Sequence, residues 1–420
     1  MSTATSSLPI SRSVQVGSAA EVASLLSDAY ASGQAVYPIG GGTSLDYGLP
    51  ARRTGIGLEL SGLNQVDDYP ARDLTITVGA GITMQHLAEL LAREGQRLPI
   101  DVPQADRATL GGVIATNTNG PRRFGEGTVR DYVIGIQAVD GRGTLFKGGG
   151  RVVKNVAGYD FCKLLTGSLG TLAVITQVTL KLKPLPAKLA WVGCQVRDWA
   201  EAERLLAELT LRSQAVPTAI ELVCGPAWTR VPLAGFDLPL PTAQQPWLLV
   251  GLEGTVAEVA WQTKTLQAEW RDLGIGQTAV VEGSAATACM QRLIEFPACA
   301  EAPLVLQAAV VPSGTTRLAA AALEVDPQMS LQCHAGNGVV VMRFAEFPEK
   351  GLSRSLIGKL APVAANCQGN LVVLSNPSGA EMTRQTVWGA RQIPYAVMDA
   401  VKREFDPLNL LNPDRFVYQL

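Results

Sequence analysis

The chain has 420 residues, 47% hydrophobic and only 17% charged, enough apolar material for two buried cores. A formal net charge of −2 gives no electrostatic reason for nucleic acid or an anionic membrane as partner, so a small-molecule enzyme is the expected class. "MSTATSSLPISRS" lacks the basic and apolar regions of a secretory signal, and the uncharged run from Leu164 to Leu180 is broken by glycines and too short to span a bilayer, which points to the cytoplasm.

Glu21 to Gly33 carries Val22, Leu25, Leu26 and Tyr30 at helical spacing, stops at a glycine and leads into the strand "QAVYPI". Gly40, Gly41 and Gly42 follow, then Thr43 and Ser44. Helix, strand and glycines running on to Pro50 is neither the GxGxxG fingerprint nor the lysine-bearing GxxxxGK[ST] loop, both of which open straight into a helix. Such a loop is either an ordinary tight turn or a phosphate cradle made of backbone amides alone. Short strands come next at "GIGLEL" and "LTITVGA", then a helix through "TMQHLAELLAREG" with Thr83 as its N-cap. His86 falls between the apolar positions of that helix and reads as structural.

A second glycine cluster runs from Pro103 to Gly143, and a third from Lys147 to Pro186. Gly111, Gly112, Ala115, Gly120, Gly158, Gly167 and Gly170 are small where a backbone would have to approach a bulky planar ligand. Three separated loops of this kind suggest one extended ligand. "KPLP", Lys183 to Pro186, reads as a linker. Beyond it the order strand, helix, strand, strand, helix, strand occurs twice, with Gly336-Asn337-Gly338 a hairpin turn. Two split-βαβ units in tandem would share one sheet of roughly eight strands, forming a cap. The segment "WGARQIPYAVMDAVKREFDPLNLLNPDRF" is a helix and a Pro-punctuated tail expected to return to the first domain. The expected boundaries are 1–186, 187–380 and 381–420.

The seven cysteines are scattered without a CxxC, against an iron-sulfur cluster, a structural zinc or a disulfide framework. Most read as small buried hydrophobes. With only His86 and His334, no multi-histidine metal site can be assembled.

Val36 to Lys183 resembles the FAD-binding domain of the vanillyl-alcohol oxidase or PCMH superfamily, in its three glycine clusters and in "GSLGTLAVITQVTLKL"; "FDPLNLLNPDRF" is similar to the return segment of the same group. The implied fold is α+β: a PCMH-type FAD-binding domain of two α/β subdomains plus a ferredoxin-like antiparallel sheet as cap. "NGPRRFGEGTVRDYVIG" and "GGRVVKNVAGYDFCKLLTGSLGTL" resemble more closely the smaller, E-type FAD-binding subunit of bacterial glycolate oxidase, a multi-subunit enzyme oxidising glycolate to glyoxylate. The resemblance implies that Gly40, Gly41, Gly42, Thr43 and Ser44 hold the FAD pyrophosphate. It further implies that Thr109, Leu110, Gly111, Gly112, Ala115, Asn117 and Gly120 line the flavin, and that Gly167, Ser168, Gly170 and Ile175 take the pyrophosphate and adenine end. Asn412 and Arg415 would lie near the ring. Oxidases with a covalently linked flavin carry a histidine close behind the glycine turn; Thr43 and Ser44 stand there instead, which implies non-covalent FAD.

Oxidising a small 2-hydroxy acid needs a cation for the carboxylate, a base for the hydroxyl proton and a hydride acceptor. Arg123, with Arg122 beside it, is suited to the carboxylate, the alternative being a pair with Glu126 or Asp131. Lys154, Tyr159 and Asp160 either hold their loop or contact the FAD. His334, at a strand end before a glycine turn, is the candidate base; otherwise it is a hydrogen-bonded, half-buried histidine.

Larger hydroxy-acid flavoproteins of the superfamily carry a histidine-rich metal site that this chain cannot supply. That departure fits a flavin subunit working beside a second flavoprotein and an iron-sulfur subunit, either cytoplasmic or peripheral to the inner membrane through those partners. The alternatives are a self-sufficient FAD-dependent dehydrogenase and a non-catalytic scaffold.

Overall fold

In a computed structural model, residues 8–151, 158–231, 233–298, 302–389 and 394–416 are described. They divide into two units, the first drawn from 1–119, 128–185 and 382–420, the second from 120–127 and 186–381.

The first unit holds two sheets. Ile10–Gln15, Gly55–Glu59 and Ala35–Ile39 form a parallel three-stranded sheet with Gly55–Glu59 in the middle. The helix Ala19–Ser32 supplies the crossover. Ser18 caps its start by accepting from the Glu21 amide, and Gly33, at φ +66°, ends it. Its apolar stripe of Val22, Leu26 and Ala29 packs with Val36, Leu58 and Leu411 into one core. The second sheet is antiparallel, with Thr75–Gly79, Ala173–Lys181 and Val133–Asp140 at its centre. Ile76, Val78, Ile136, Val178 and Leu180 face the helices Met84–Ala92 and Leu110–Thr116 in a separate core. Thr83 caps the first of these helices as the sequence predicts, accepting from the His86 amide at 3.2 Å, and His86 itself is exposed.

The second unit is one antiparallel sheet of eight strands. In spatial order these are Ala279–Glu282, Lys188–Gln195, Trp247–Gly254, Ala219–Cys224, Ser330–His334, Val339–Phe344, Leu304–Ala309 and Asn370–Ser375. The two four-stranded halves mirror one another, as two split-βαβ units joined edge to edge would. The helices Trp199–Leu211, Val256–Asp272 and Thr315–Val325 lie where the pattern placed them. Gly283–Glu295 is a further helix that the sequence reading left out.

Alternation along the central strands divides the sheet into unlike faces. Ile220, Leu222, Cys224, Leu331, Cys333, Val340 and Met342 make one side wholly apolar. The opposite side mixes Ala219, Val223, Val339 and Val341 with Glu221, Gln332 and His334.

The architecture is mixed α/β, with a large antiparallel sheet in the second unit, as expected. The six described cysteines are free and buried, and Cys299 and Lys154 lie outside the described residues. No helix among the described residues is long and apolar enough to cross a membrane.

Candidate cofactor site and the buried polar triad

Four segments of the first unit are tied together by their own main chains. The strand Ala35–Ile39 delivers the glycine loop onto residues 107–109. A Cβ on Gly40 would stand 2.1 Å from Thr109 Oγ1, and one on Gly41 1.7 Å from the Arg107 carbonyl oxygen, so no side chain fits at either position. Thr109 leads into the helix Leu110–Thr116, whose Leu110 and Gly111 amides donate to the Ile82 and Ala80 carbonyls at 2.9 and 2.7 Å. Asn117 ends that helix in the left-handed conformation. The Gly167 and Leu169 amides then donate to the Ile114 and Ala115 carbonyls at 2.9 and 2.8 Å, docking the third glycine loop on the helix. Finally, Val36 and residues 410–412 exchange amide bonds of 2.8 and 3.0 Å, and Asn412 Nδ2 donates to the Leu169 carbonyl at 2.8 Å.

Sequence positions 36, 40–44, 109–117, 167–170 and 412 are thereby brought together. Two buried polar atoms in this cluster, Ser168 Oγ and Asn412 Oδ1, have no hydrogen-bond partner. Among the described residues the amides of Gly41, Gly42, Thr43 and Ser44 have no acceptor either. Buried polar atoms are normally satisfied, so the orphaned oxygens of Ser168 and Asn412 fit a polar group such as FAD, and the half-buried to exposed loop at 41–44 offers backbone donors for a phosphate.

Other residues expected here have contacts of their own. Arg415 donates from Nε to the Leu49 carbonyl at 3.2 Å and from Nη2 to those of Tyr47, at 3.0 Å, and Leu45. Its guanidinium closes the loop 45–49. Burial lowers its pKa, against the charges of Tyr37 and Asp46. Ile175 is 4% exposed, inside the apolar core of the antiparallel sheet. Gly120 and Arg123 fall in the second unit, although in sequence they continue the flavin-lining loop.

Arg122 has a partner that the sequence reading did not name. It pairs with Glu253, Nε at 2.9 Å and Nη2 at 2.8 Å, while Asp131 caps the backbone of Thr128. Asp160 caps the Lys163 amide and pairs with the Lys163 side chain, which accounts for it as a loop-holding residue, and Tyr159 is exposed.

A buried clasp at the third glycine loop leaves no sign in the sequence. Lys402 Nζ donates to Asp406 Oδ2 at 2.6 Å, to the Thr171 carbonyl at 2.7 Å and to that of Leu411 at 3.3 Å. Asp406 in turn accepts the amides of Leu410 and Leu411. Burial lowers the Lys402 pKa, and the nearby Asp406 carboxylate opposes the shift. An i,i+4 Lys–Asp pair on a helix ordinarily reads as a surface pair, which is why its burial was not legible.

In the second unit His334 sits at a strand end as expected, and it is buried. Its Nδ1 lies 2.7 Å from Glu221 Oε1, and Gln332 Nε2 donates to Glu221 Oε2 at 2.8 Å. Glu221, from the strand read as "AIELVC", was missed because one carboxylate in an apolar run carries no pattern. Among the described residues no three His, Cys, Asp or Glu side chains stand close enough to hold a metal ion.

Comparison with known proteins agrees with this geometry. Residues 10–149, a third of the chain, match the model of an FAD binding domain. The D-lactate dehydrogenase of Archaeoglobus fulgidus is 33% identical over 210 residues, 50% of this chain and 46% of that protein. Glycolate oxidase subunit GlcE of Escherichia coli is 38% identical over 134 residues, 32% of this chain and 38% of that protein. Glycolate oxidase subunit GlcD of Bacillus subtilis is 25% identical over 417 residues, 90% of this chain and 83% of that protein. At the stronger identities the chain thus spans less than half the length of the relatives it matches. Among solved structures, alkyldihydroxyacetonephosphate synthase superposes with a TM-score of 0.71 over 96% of this chain and 77% of that one, at 17% identity, a likeness of fold alone. Residues 10–149 are accordingly similar to an FAD binding domain, in agreement with the expected cofactor.

Proposed function

We propose that the chain is an FAD-dependent oxidoreductase that oxidises a small 2-hydroxy acid, working as the flavin subunit of a glycolate oxidase-type complex. The observation that carries this reading is the convergence of the glycine loops at 40–44, 109–117 and 167–170 on the orphaned oxygens of Ser168 and Asn412, within the matched FAD-binding domain. When bound, FAD supplies the two-electron acceptor for the hydride leaving the carbinol carbon.

The residues of the chain do the rest. The amides of Gly41 to Ser44 hold the pyrophosphate, Thr109, Gly111, Gly112, Ala115 and Asn117 line the flavin, and Gly167, Ser168 and Gly170 take the pyrophosphate and adenine end, while Leu110 is buried in the core beneath. Thr43 and Ser44 offer no imidazole for a covalent link, so the cofactor dissociates reversibly. Arg123 receives the substrate carboxylate and His334 the hydroxyl proton. The chain's resemblance to glycolate oxidase subunits supports the assignment to a complex. In this reading its partners are a second flavoprotein and an iron-sulfur subunit, and the complex works in the cytoplasm.

A self-sufficient dehydrogenase is the second reading, supported by the relative named D-lactate dehydrogenase. One experiment separates the two. The tagged chain is purified from its native cell, its flavin spectrum and co-purifying subunits are recorded, and glycolate and D-lactate are added without oxygen, both to the assembly and to the chain alone. Flavin bleaching in the assembly only supports the complex. Bleaching in the chain alone supports the second reading, and a preparation without flavin removes both.

A further inference from the structure

Glu221 is fully buried in the middle of an eight-stranded sheet, where its neighbours along the strand are apolar. A carboxylate taken out of water is strongly unfavourable unless its oxygens find donors. Here both do, Oε2 from Gln332 Nε2 and Oε1 facing His334 Nδ1. Glu221 and His334 are register partners across adjacent strands, and Gln332 precedes His334 by two residues, so the three share one sheet face. Two acceptor positions of the triad are left over. Gln332 Oε1 is buried without a hydrogen-bond partner, and His334 Nε2 has none among the described residues.

We infer that Glu221 is a positioning residue. It holds the His334 proton on Nδ1, so that Nε2 presents its lone pair to the hydroxyl of the 2-hydroxy acid; this rests on the function proposed above. In the proton step the substrate O–H bond breaks and an N–H bond forms at Nε2. The alkoxide oxygen keeps the electron pair, and the carboxylate of Glu221 balances the charge on the imidazolium. Gln332 fixes the second carboxylate oxygen, so Glu221 cannot rotate away. A carboxylate that sets the tautomer of a base is a recurring catalytic device.

Because the chain contains two histidines, ring-15N labelling gives two sets of signals, and His86→Gln assigns them. The measurement is made on the flavin-loaded protein together with any subunits that purify with it. The expected result is a His334 with Nδ1 protonated and Nε2 bare, altered in Glu221→Gln to the opposite tautomer or a mixture. Flavin reduction by glycolate should slow about 10²-fold in Glu221→Gln with KM changed less than about threefold, and Glu221→Asp should recover part of the rate. Circular dichroism confirms that each variant is folded.

A wild-type His334 protonated at Nε2, or a Glu221→Gln protein with unchanged tautomer and rate, overturns the inference. A wild-type flavin that neither glycolate nor D-lactate reduces overturns the hydroxy-acid reading and the role of Nε2 in it. The tautomer signals then decide separately whether Glu221 positions His334.

Discussion

The two units build polar sites by opposite means. The first arranges backbone: glycines pressed against neighbouring carbonyls, amides left without acceptors, and main-chain bonds between segments as distant as residues 36 and 412. The second arranges side chains, placing Glu221, Gln332 and His334 on one face of a rigid sheet. A site made of backbone tolerates almost no added atom, whereas a site made of side chains tolerates changes of shape but not of proton inventory. Each unit should therefore fail in its own way when altered.

The largest expected effect is at Gly41. Gly41→Ala would place a methyl group 1.7 Å from the Arg107 carbonyl oxygen, so the protein should purify without flavin, read from its absorbance at 450 nm against 280 nm. Retained FAD at normal affinity would mean that the loop does not hold the cofactor.

Lys402→Met comes next. It removes the donor for Asp406 and for the Thr171 and Leu411 carbonyls inside the fold, and breaking such a buried pair costs about 3–5 kcal/mol, measurable by urea unfolding. FAD affinity should fall as well, because the third glycine loop loses its tether. The pH dependence has a defined sign. Burial lowers the folded pKa of Lys402, so between that value and the ordinary lysine value the unfolded chain binds more protons. The wild-type advantage over the variant should widen as pH rises through that window.

A smaller effect is expected at Arg122, the test of whether the second unit uses that cation for structure. Arg122→Met should lower stability by about 1–3 kcal/mol, since Glu253 loses a charge-assisted partner, and leave KM for the acid unchanged. A raised KM with intact stability would instead make Arg122 a carboxylate ligand. The smallest change is Ser168→Ala. Deleting an orphaned hydroxyl should leave the FAD-free protein as stable as before, within about 0.5 kcal/mol, and weaken FAD binding about three- to tenfold in a titration. Unchanged affinity would take Ser168 out of the cofactor site.

The same contrast explains what the sequence made legible. Glycine clusters announce close backbone approach, but the loops at 40–44, 109–117 and 167–170 took their role as a cofactor site from the resemblance to a known family and not from composition. Periodicity and a repeated strand-helix-strand order carried the eight-stranded sheet. Glu221 and His334 meet only through strand pairing across 113 residues, and no local pattern records that. Residues 120–127 sit between two flavin-loop motifs in sequence, yet pack with the second unit, the Gly125 amide donating to the Thr218 carbonyl and Gly336 lying against Phe124. The helix Gly283–Glu295 starts in "GSAATAC", a run of small residues that offers no apolar stripe until Met290 and Leu293.

The return of residues 402–415 to the first unit also bears on biogenesis. Val36 cannot gain its partner at Leu410, nor can the loop at 169–171 gain Asn412 and Lys402, until the whole intervening sheet of residues 186–381 has been synthesised. Pairings that span nearly the full chain close late. Emerging from the ribosome, the first unit would have most of its strands and neither half of its clasp, and so would be unable to trap a dinucleotide. On the proposed cofactor site, flavin uptake is then expected only after translation has passed residue 412, and chains truncated within the second unit should purify colourless.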